Sequence, residues 1–465
     1  MGDLAIVLHS HMPYVEGFGT YPFGEEWLFD AVCRSYVPVM DIADQVTVTV
    51  TPVLADQLEA PGVCERLGEF LREFRIRSAD ADADDVDAEF EPACRAEAER
   101  YRAVQARLAE TGGDLLAIFR EPADSGRVEL MASAASHAVL PLVATLAGRR
   151  LQLDAGLRSH RRRFGGAAGF WLPECAYEPG LEALLAERSL RYFCSDQSAH
   201  QDDLAALVPA ATRAGPVAFT IDWEAVGWLW SLDGYPSDPL YADLHRKSLR
   251  GARPWAIGGG AYDPVVATRR AREQAAEFVE AASARLAAFR AGRGHPGLMV
   301  FAVDTELLGH WWWEGPEWLA EVCRLAPGAG VEMTTLGRAL ERHRPEAREL
   351  ARSSWGEGKD LRTWDSPSVA DLAWAARRLE LRLLGEIGGR GLADPAATRA
   401  ARELLAVQAS DWAFLDGRRQ AGDYPFQRVT AHAEAMLDAI HSVTEPDPRL
   451  RNLAPDLSLA PLTEP

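Results

Sequence analysis

Short apolar or β-branched runs recur along the chain and alternate with segments of helical periodicity. Leu4–Leu8, Val46–Val53, Val128–Met131, Gly169–Leu172, Tyr192–Cys194, Val217–Ile221, Leu298–Val303 and Val331–Thr335 read as strands. Several are apolar almost throughout, the pattern of parallel strands covered on both faces. Glu178–Arg188 and Val265–Ala291 read as helices between them. Strand alternating with helix predicts a parallel sheet. Seven or eight such units within residues 1–340 favour a closed or nearly closed barrel over an open sheet.

Two segments break the rhythm. Residues 78–99 are acidic, with little apolar periodicity, and read as a solvated insertion or the lead-in to a helix. Residues 223–260 are rich in Trp, Tyr, Gly and Pro and too long for an ordinary connection, which marks a functional loop. Beyond residue 340 the period becomes helical, with Ala and Leu on one side and Arg or Glu on the other, in Leu372–Glu386, Pro395–Ser410 and Thr430–Ser442. Residues 341–445 are therefore expected to form a helical domain, and the Pro-rich stretch 446–465 a loosely ordered tail.

Composition narrows the function more than the fold. The chain has 465 residues and a formal net charge of −20, from 49 basic and 69 acidic side chains. A surface of that sign repels phosphate backbones, which argues against nucleic acid as a partner. Six cysteines without CxxC spacing suggest neither a disulfide framework nor a zinc ribbon. No basic leader precedes the first apolar run, and no run reaches the ~18 apolar residues of a membrane span. The expectation is a cytoplasmic protein away from membranes. Fourteen tryptophans stand out, many of them at 223–230, 311–318 and 412.

Active-site groups of a barrel sit at the C-terminal ends of its strands. Reading those positions gives His9 and His11 after the first strand, His137 after the third and Glu174 after the fourth. Asp304 and Glu306 end the seventh, followed by His310 and Trp311. Two carboxyl groups on different strands are the minimum apparatus for glycoside chemistry, and indole faces suit sugar rings. Each residue also has a plainer reading. A Glu after Pro is commonly a loop carboxylate, His137 could satisfy buried backbone, and Glu306 could pair with an arginine. At least one of Trp311, Trp312 and Trp313 must enter the core.

The strings HSHMPYV, WLPECAY and FAVDTELLGHWWWEGPEWL resemble the signature regions of glycoside hydrolase family 57, and within it those of the 1,4-α-glucan branching enzymes. YPFGEEWLF, WSLDGYPSDPLYADLHR and ASDWAF match the same subgroup, so the likeness runs from about Leu4 to about Ala439. The resemblance implies an incomplete TIM-like (β/α)7 barrel with a C-terminal α-helical domain that completes the cleft. It also implies retaining transfer on an α-glucan through a covalent glycosyl-enzyme, without cofactor or metal. Glu174 takes the role of nucleophile and Asp304 that of acid/base. His9, His11, His137, Trp171, Glu306, His310 and Trp311 take places around the sugar, and Asp411 with Trp412 brings an aromatic from the helical domain. Tyr235, or its neighbour Tyr241, takes the place of a loop tyrosine that covers the cleft and favours transfer. The departures are a chain short for the subgroup and the unfamiliar acidic segment.

Three other readings stay open at this stage. One is an α-amylase-like hydrolase or 4-α-glucanotransferase on the same site. Another is a deacetylase- or mannosidase-like hydrolase with zinc on His9, His11 and Asp304. The weakest is a silent carbohydrate-binding protein, since both acids are present. For the glycosidic readings, the charge on Glu174 should raise the pKa of Asp304 and give a bell-shaped pH profile.

Overall fold

The computed structural model describes residues 2–17, 19, 23–441 and 452–464. Ten strands form its sheet. They are β1 (Gly2–Ser10), β2 (Val46–Val50), β3 (Val128–Ser133), β4 (Gly169–Trp171), β5 (Tyr192–Ser195), β6 (Ala210–Ala211), β7 (Val217–Thr220), β8 (Leu298–Asp304), β9 (Val331–Met333) and β10 (Glu346–Ala347). The order is β10-β6-β7-β5-β4-β3-β2-β1-β8, with β9 also on β1. The seven staves from β7 to β8 pair in parallel throughout. Past β7, a single backbone hydrogen bond from Asp222 N to Val300 O, 2.9 Å, joins the chain to β8. The sheet therefore curls round on itself without a full ladder at the seam. This is an incomplete barrel of seven parallel strands.

Each of the eight apolar runs expected as strands contains one, although Val46–Val53 is strand only to Val50 and enters helix Pro52–Leu58 at its end. Val331–Met333 is not a stave, however. It continues the ladder of β1 at Gly2–Leu4, beneath the point where β2 takes over at Val7. The two-residue strands Ala210–Ala211 and Glu346–Ala347 are too short to leave a periodic signal. Every residue of β1 is buried, as its apolar sequence requires. Helix Pro264–Arg293 shows why the longest helical segment sits where it does. The Asp263 side chain accepts from Val265 N and Val266 N, Pro264 opens the first turn, and Gly294 closes the helix at φ 77°. Its Ala271, Ala275, Phe278 and Ala282 are buried against the barrel.

The acidic segment 78–99 is mostly helical, in Arg77–Asp85 and Glu91–Glu110. Its acids are not all solvated. Asp82 accepts from Ser248 Oγ at 2.5 Å, and Glu97 accepts from the backbone N of Arg253 at 3.0 Å. The segment thus pins the far end of the long loop.

Helices Ala370–Arg390, Pro395–Val407, Ser410–Arg418 and Tyr424–His441 pack on the barrel. The first, second and fourth share one buried cluster with its Tyr14, Val53, Ala135 and Leu151, while Trp412 of the third packs with Leu372, Val407 and Val429. The third of these helices begins where the expected Pro395–Ser410 segment ends and fills a stretch to which the periodicity assigned no element. A loosely ordered tail does not describe residues 452–464. Leu453, Leu459 and Leu462 join the same cluster, and Ala454 N donates to the buried Asp56 carboxylate at 2.6 Å. Apolar spacing in a Pro-rich segment was enough to dock it. The remainder of the expected tail, 446–451 and Pro465, lies outside the described residues, as does Ser442.

Candidate active site

Pro173 fixes its own φ and opens a tight turn, Pro173–Cys175, directly after β4. Glu174 follows with φ 60° and Cys175 with φ 49°, two successive non-glycine residues in the left-handed region. Such conformations persist only where the surroundings impose them, and they cluster at functional sites. The turn puts the Glu174 carboxylate between two donors from outside the barrel. Ser410 Oγ, at the start of helix Ser410–Arg418, donates to Oε1 at 2.8 Å, and Trp355 Nε1 donates to Oε2 at 2.8 Å. The backbone N of Trp355 also donates to Glu174 O at 3.0 Å. Burial raises the pKa of Glu174, and the two donors work against that rise.

Behind Glu174 lie three histidines. His9 Nε2 is 2.9 Å from His137 Nε2, and His137 Nδ1 is 2.9 Å from Ser410 Oγ. Burial, then neighbouring His11, lowers the pKa of His9, and burial does the same to His137, so both rings are neutral. Since the Ser410 hydroxyl is spent on Glu174, only one set of tautomers fits. His9 donates to His137, His137 to Ser410, and Ser410 to Glu174. This leaves His9 Nδ1 as a lone pair, and that atom is indeed buried without a partner. Every donor in the chain therefore points toward the carboxylate and favours its charged form.

His11 behaves differently. Its Nδ1 is 3.0 Å from Thr51 Oγ1 and its Nε2 2.9 Å from Asp411 Oδ1. Burial opposes protonation, yet Asp411, by charge and hydrogen bond, with Glu306 and Glu174, leaves its pKa raised. The His11 ring stacks on that of His137, 4.0 Å between centroids. Three of the four ring nitrogens of His9 and His11 face His137, Thr51 and Asp411, and no cluster of three metal-ligating side chains forms among the described residues, so the zinc reading of His9, His11 and Asp304 gains no support.

Asp304 ends β8, beside His9 in the ladder. No side-chain hydrogen bond holds it among the described residues. Burial first, then the charges of Glu306 and Glu174, push its pKa well above the ordinary carboxylate range. Glu306 is 5% exposed and accepts from His11 N at 3.0 Å and from the Tyr36 hydroxyl. Burial pushes it up to about 7. The site thus holds one carboxyl group with donors on both oxygens and one with none. Environments that differ in this way push the two carboxyl groups apart in their readiness to ionise.

Residues 5–350 match the family model of glycosyl hydrolase family 57. The chain belongs to that family. Residues 373–454 match the model of the 1,4-alpha-glucan branching enzyme C-terminal region. The chain is 33% identical to a 1,4-alpha-glucan branching enzyme of Thermococcus kodakarensis, over 93% of this chain and 72% of that protein. It is 32% identical to a probable 1,4-alpha-glucan branching enzyme of Mycobacterium tuberculosis, over 93% of this chain and 91% of that one. The crystal structure of a family 57 branching enzyme from Thermococcus kodakaraensis, in complex with glucose, superposes with a TM-score of 0.92 at 30% identity. It covers 100% of this chain and 96% of that one.

Several expected contacts in this family 57 chain fall elsewhere. Trp412 does not present its ring to the cleft. It is 1% exposed, its Nε1 donates to Ala406 O at 2.7 Å, and it packs with Leu372, Val407 and Val429 inside the helical domain. Its neighbour Asp411 is the residue that reaches the site. Trp171 is fully buried and forms the floor on which His9 stacks, at 4.6 Å between ring centroids. His9 and His137 are likewise buried beneath the cleft rather than on its wall. Tyr241 is a core residue, donating to Gln274 Oε1 at 2.5 Å and packing on Trp312. Tyr235 is half-buried near Arg270 and Glu277 of helix Pro264–Arg293, and no hydrogen bond or ring contact links it to the two acids.

Of the three consecutive tryptophans, Trp312 is core. Trp313 lies under the guanidinium groups of Arg34 and Arg100, and Trp311 is half exposed opposite the half-exposed Trp230, ring centroids 6.2 Å apart. His310 Nδ1 is buried without a partner.

Sequence reasoning missed Trp355, Ser410, Tyr36 and Thr51. Trp355 carried a faint signal, a lone tryptophan in the Ser/Gly-rich stretch SSWGEG between the two domains. Ser410 stood inside the quoted ASDWAF string, beside the two residues read from it, whereas Tyr36 and Thr51 carried no signal.

Proposed function

We propose that this family 57 chain is a retaining 1,4-α-glucan branching enzyme acting on glycogen-like α-1,4-glucan. Glu174 attacks the anomeric carbon as a carboxylate. The glycosidic C–O bond breaks, and Asp304 gives its proton to the departing 4-oxygen. Asp304, now charged, takes the proton of an acceptor 6-hydroxyl, whose oxygen displaces Glu174 and forms the α-1,6 link. The observation that carries this reading is the unequal environment of the two acids. Ser410 and Trp355 donate to Glu174, whereas Asp304 is raised by burial and by like charge. The names of the relatives, and the match of residues 373–454 to a branching-enzyme region, support branching over hydrolysis.

Further roles follow from exposure. The His11–Asp411 pair reaches the site from two domains and is suited to hold sugar hydroxyls. Trp311 and Trp230 offer indole faces to a glucan chain. Tyr235 would have to leave its seat on helix Pro264–Arg293 to cover the cleft, so its part in transfer is as a closing residue. No helix among the described residues is long and apolar enough to cross a membrane.

The test is the linkage of products formed from amylose, read by proton NMR. The proposal expects α-1,6 anomeric signals to grow faster than new reducing ends. Reducing ends without α-1,6 signal would indicate a hydrolase, and redistributed α-1,4 chains alone would indicate a 4-α-glucanotransferase.

A further inference from the structure

Four chain segments meet behind the wall of the cleft. They are the helical stretch that follows β1, helix Glu91–Glu110, the far end of the long loop, and the loop after Asp304. The seam between them is polar, closed to solvent and short of acceptors. Arg34 is 2% exposed, yet its Nε and Nη2 have no hydrogen-bond partner. Tyr101 is fully buried with its hydroxyl unpartnered, and the Nε of the buried Arg253 is unpartnered as well. His310 Nδ1 adds a fifth such atom from the loop after Asp304. Buried polar groups are nearly always satisfied, so five orphan atoms clustered on four residues point to a ligand rather than to chance.

The charges indicate what kind of ligand. Two buried carboxylates belong to this neighbourhood, and both are committed. Asp30 takes Arg75 on both oxygens, at 2.7 and 2.6 Å. Glu97 takes Arg253, through the backbone N at 3.0 Å and Nη1 at 3.3 Å. Arg34 is left without an ion pair among the described residues: Asp30 and Glu97 act on it only through space, and it lies over the face of Trp313 at 5.0 Å, a ring that the cation of Arg100 also covers at 3.9 Å. Tyr101 lies one helical turn beyond Glu97 and packs on the same Trp313, at 6.1 Å between centroids. Four of the five orphan atoms belong to N–H or O–H donors. Surplus donors with surplus positive charge suit an anion better than water, and the lack of exposure suits a small one.

We propose that the seam between Arg34, Tyr101, Arg253 and His310 binds a single small monovalent anion of the halide class. The bound anion accepts from the Arg34 guanidinium and the Tyr101 hydroxyl and neutralises the surplus charge. It also braces the loop that follows Asp304. Gly309 in that loop lies so close to the Arg34 carbonyl that a Cβ there would sit 1.8 Å from the oxygen, and His310 and Trp313 line the seam. Halide would therefore stabilise the protein and stiffen the loop beside the acid/base.

Crystals of the full chain grown without halide and soaked in sodium bromide provide the first test. The proposal expects one anomalous bromide peak within hydrogen-bond distance of Arg34 and Tyr101. Ordinary water density there, with no bromide, would overturn it. Thermal melts at constant ionic strength, with gluconate replaced stepwise by chloride, provide the second. The melting temperature should climb with the logarithm of chloride above a threshold, and Arg34→Met should lose that climb. An equal climb in Arg34→Met would contradict the site. Tyr101→Phe keeps the ring and removes one donor to a charge, so its threshold should rise about tenfold. An unchanged threshold in Tyr101→Phe would also count against the site, whether or not Arg34→Met folds.

Discussion

The two ends of the cleft hold the same functional group in opposite surroundings. At the β4 end, Glu174 sits in a strained turn with donors on both oxygens, one from the linker and one from the helical domain. At the β8 end, Asp304 ends a regular strand with no donor, facing burial and two other carboxyl groups. Residue type does not separate them, since both are acids at strand ends. Environment does, because hydrogen bonds to the charged form favour ionisation, while burial and like charge oppose it. The barrel alone would present two similar acids. The linker and the helical domain make them different.

The comparison can be broken most severely at the carboxyl groups themselves. Glu174→Gln should cost at least about 10³-fold in both transfer and hydrolysis, measured on amylose; comparable residual turnover in both would place the nucleophile elsewhere. Asp304→Asn should lose on the order of 10²–10⁴-fold with a natural glucan. With a glycosyl fluoride, whose leaving group needs no proton, the first step should be nearly spared. An equal loss on both substrates would deny Asp304 the proton-donor role.

A subtler change sharpens the contrast. Ser410→Ala removes one donor to a charged carboxylate, a loss of about 1.5–3 kcal/mol, or roughly 10–100-fold in kcat/KM. The pH dependence gives the sign. The proposed mechanism needs Glu174 charged and Asp304 protonated, so it predicts a bell-shaped wild-type profile. Its acid limb follows ionisation of Glu174, whose pKa burial raises, and its alkaline limb follows loss of the Asp304 proton. The two values belong to the coupled pair. Without Ser410 the charged form of Glu174 is less favoured, so the acid limb should move to higher pH. A uniformly lower bell with unmoved limbs would mean that Ser410 acts only structurally. The smallest effect is expected from Trp311→Ala, where loss of one stacking face should raise KM by about 5–10-fold with little change in kcat.

The barrel was legible because parallel strands buried on both faces leave continuous apolar runs, and seven of them were staves. The two acids were legible because strand ends can be counted from those runs. Their difference was not, since Trp355 and Ser410 stand 181 and 236 residues from Glu174 and no local pattern joins them. Tryptophan count was a coarse guide for the same reason. Trp311 and Trp412 look alike in sequence, and only packing shows that one is half exposed and the other is core. Trp171 and His9 were placed against the sugar, but they form a buried floor under the histidine chain. The docking of residues 452–464 depends on a groove between the domains that the tail's own composition does not announce.

The assignment of roles by environment can be tested most directly by trapping the covalent intermediate. The protein would be incubated with a 5-fluoro glycosyl fluoride of the glucose series, digested, and mapped by peptide mass spectrometry. The account predicts one glycosyl adduct, on Glu174. An adduct on Asp304 or Glu306, or turnover of the donor with no adduct, would contradict it.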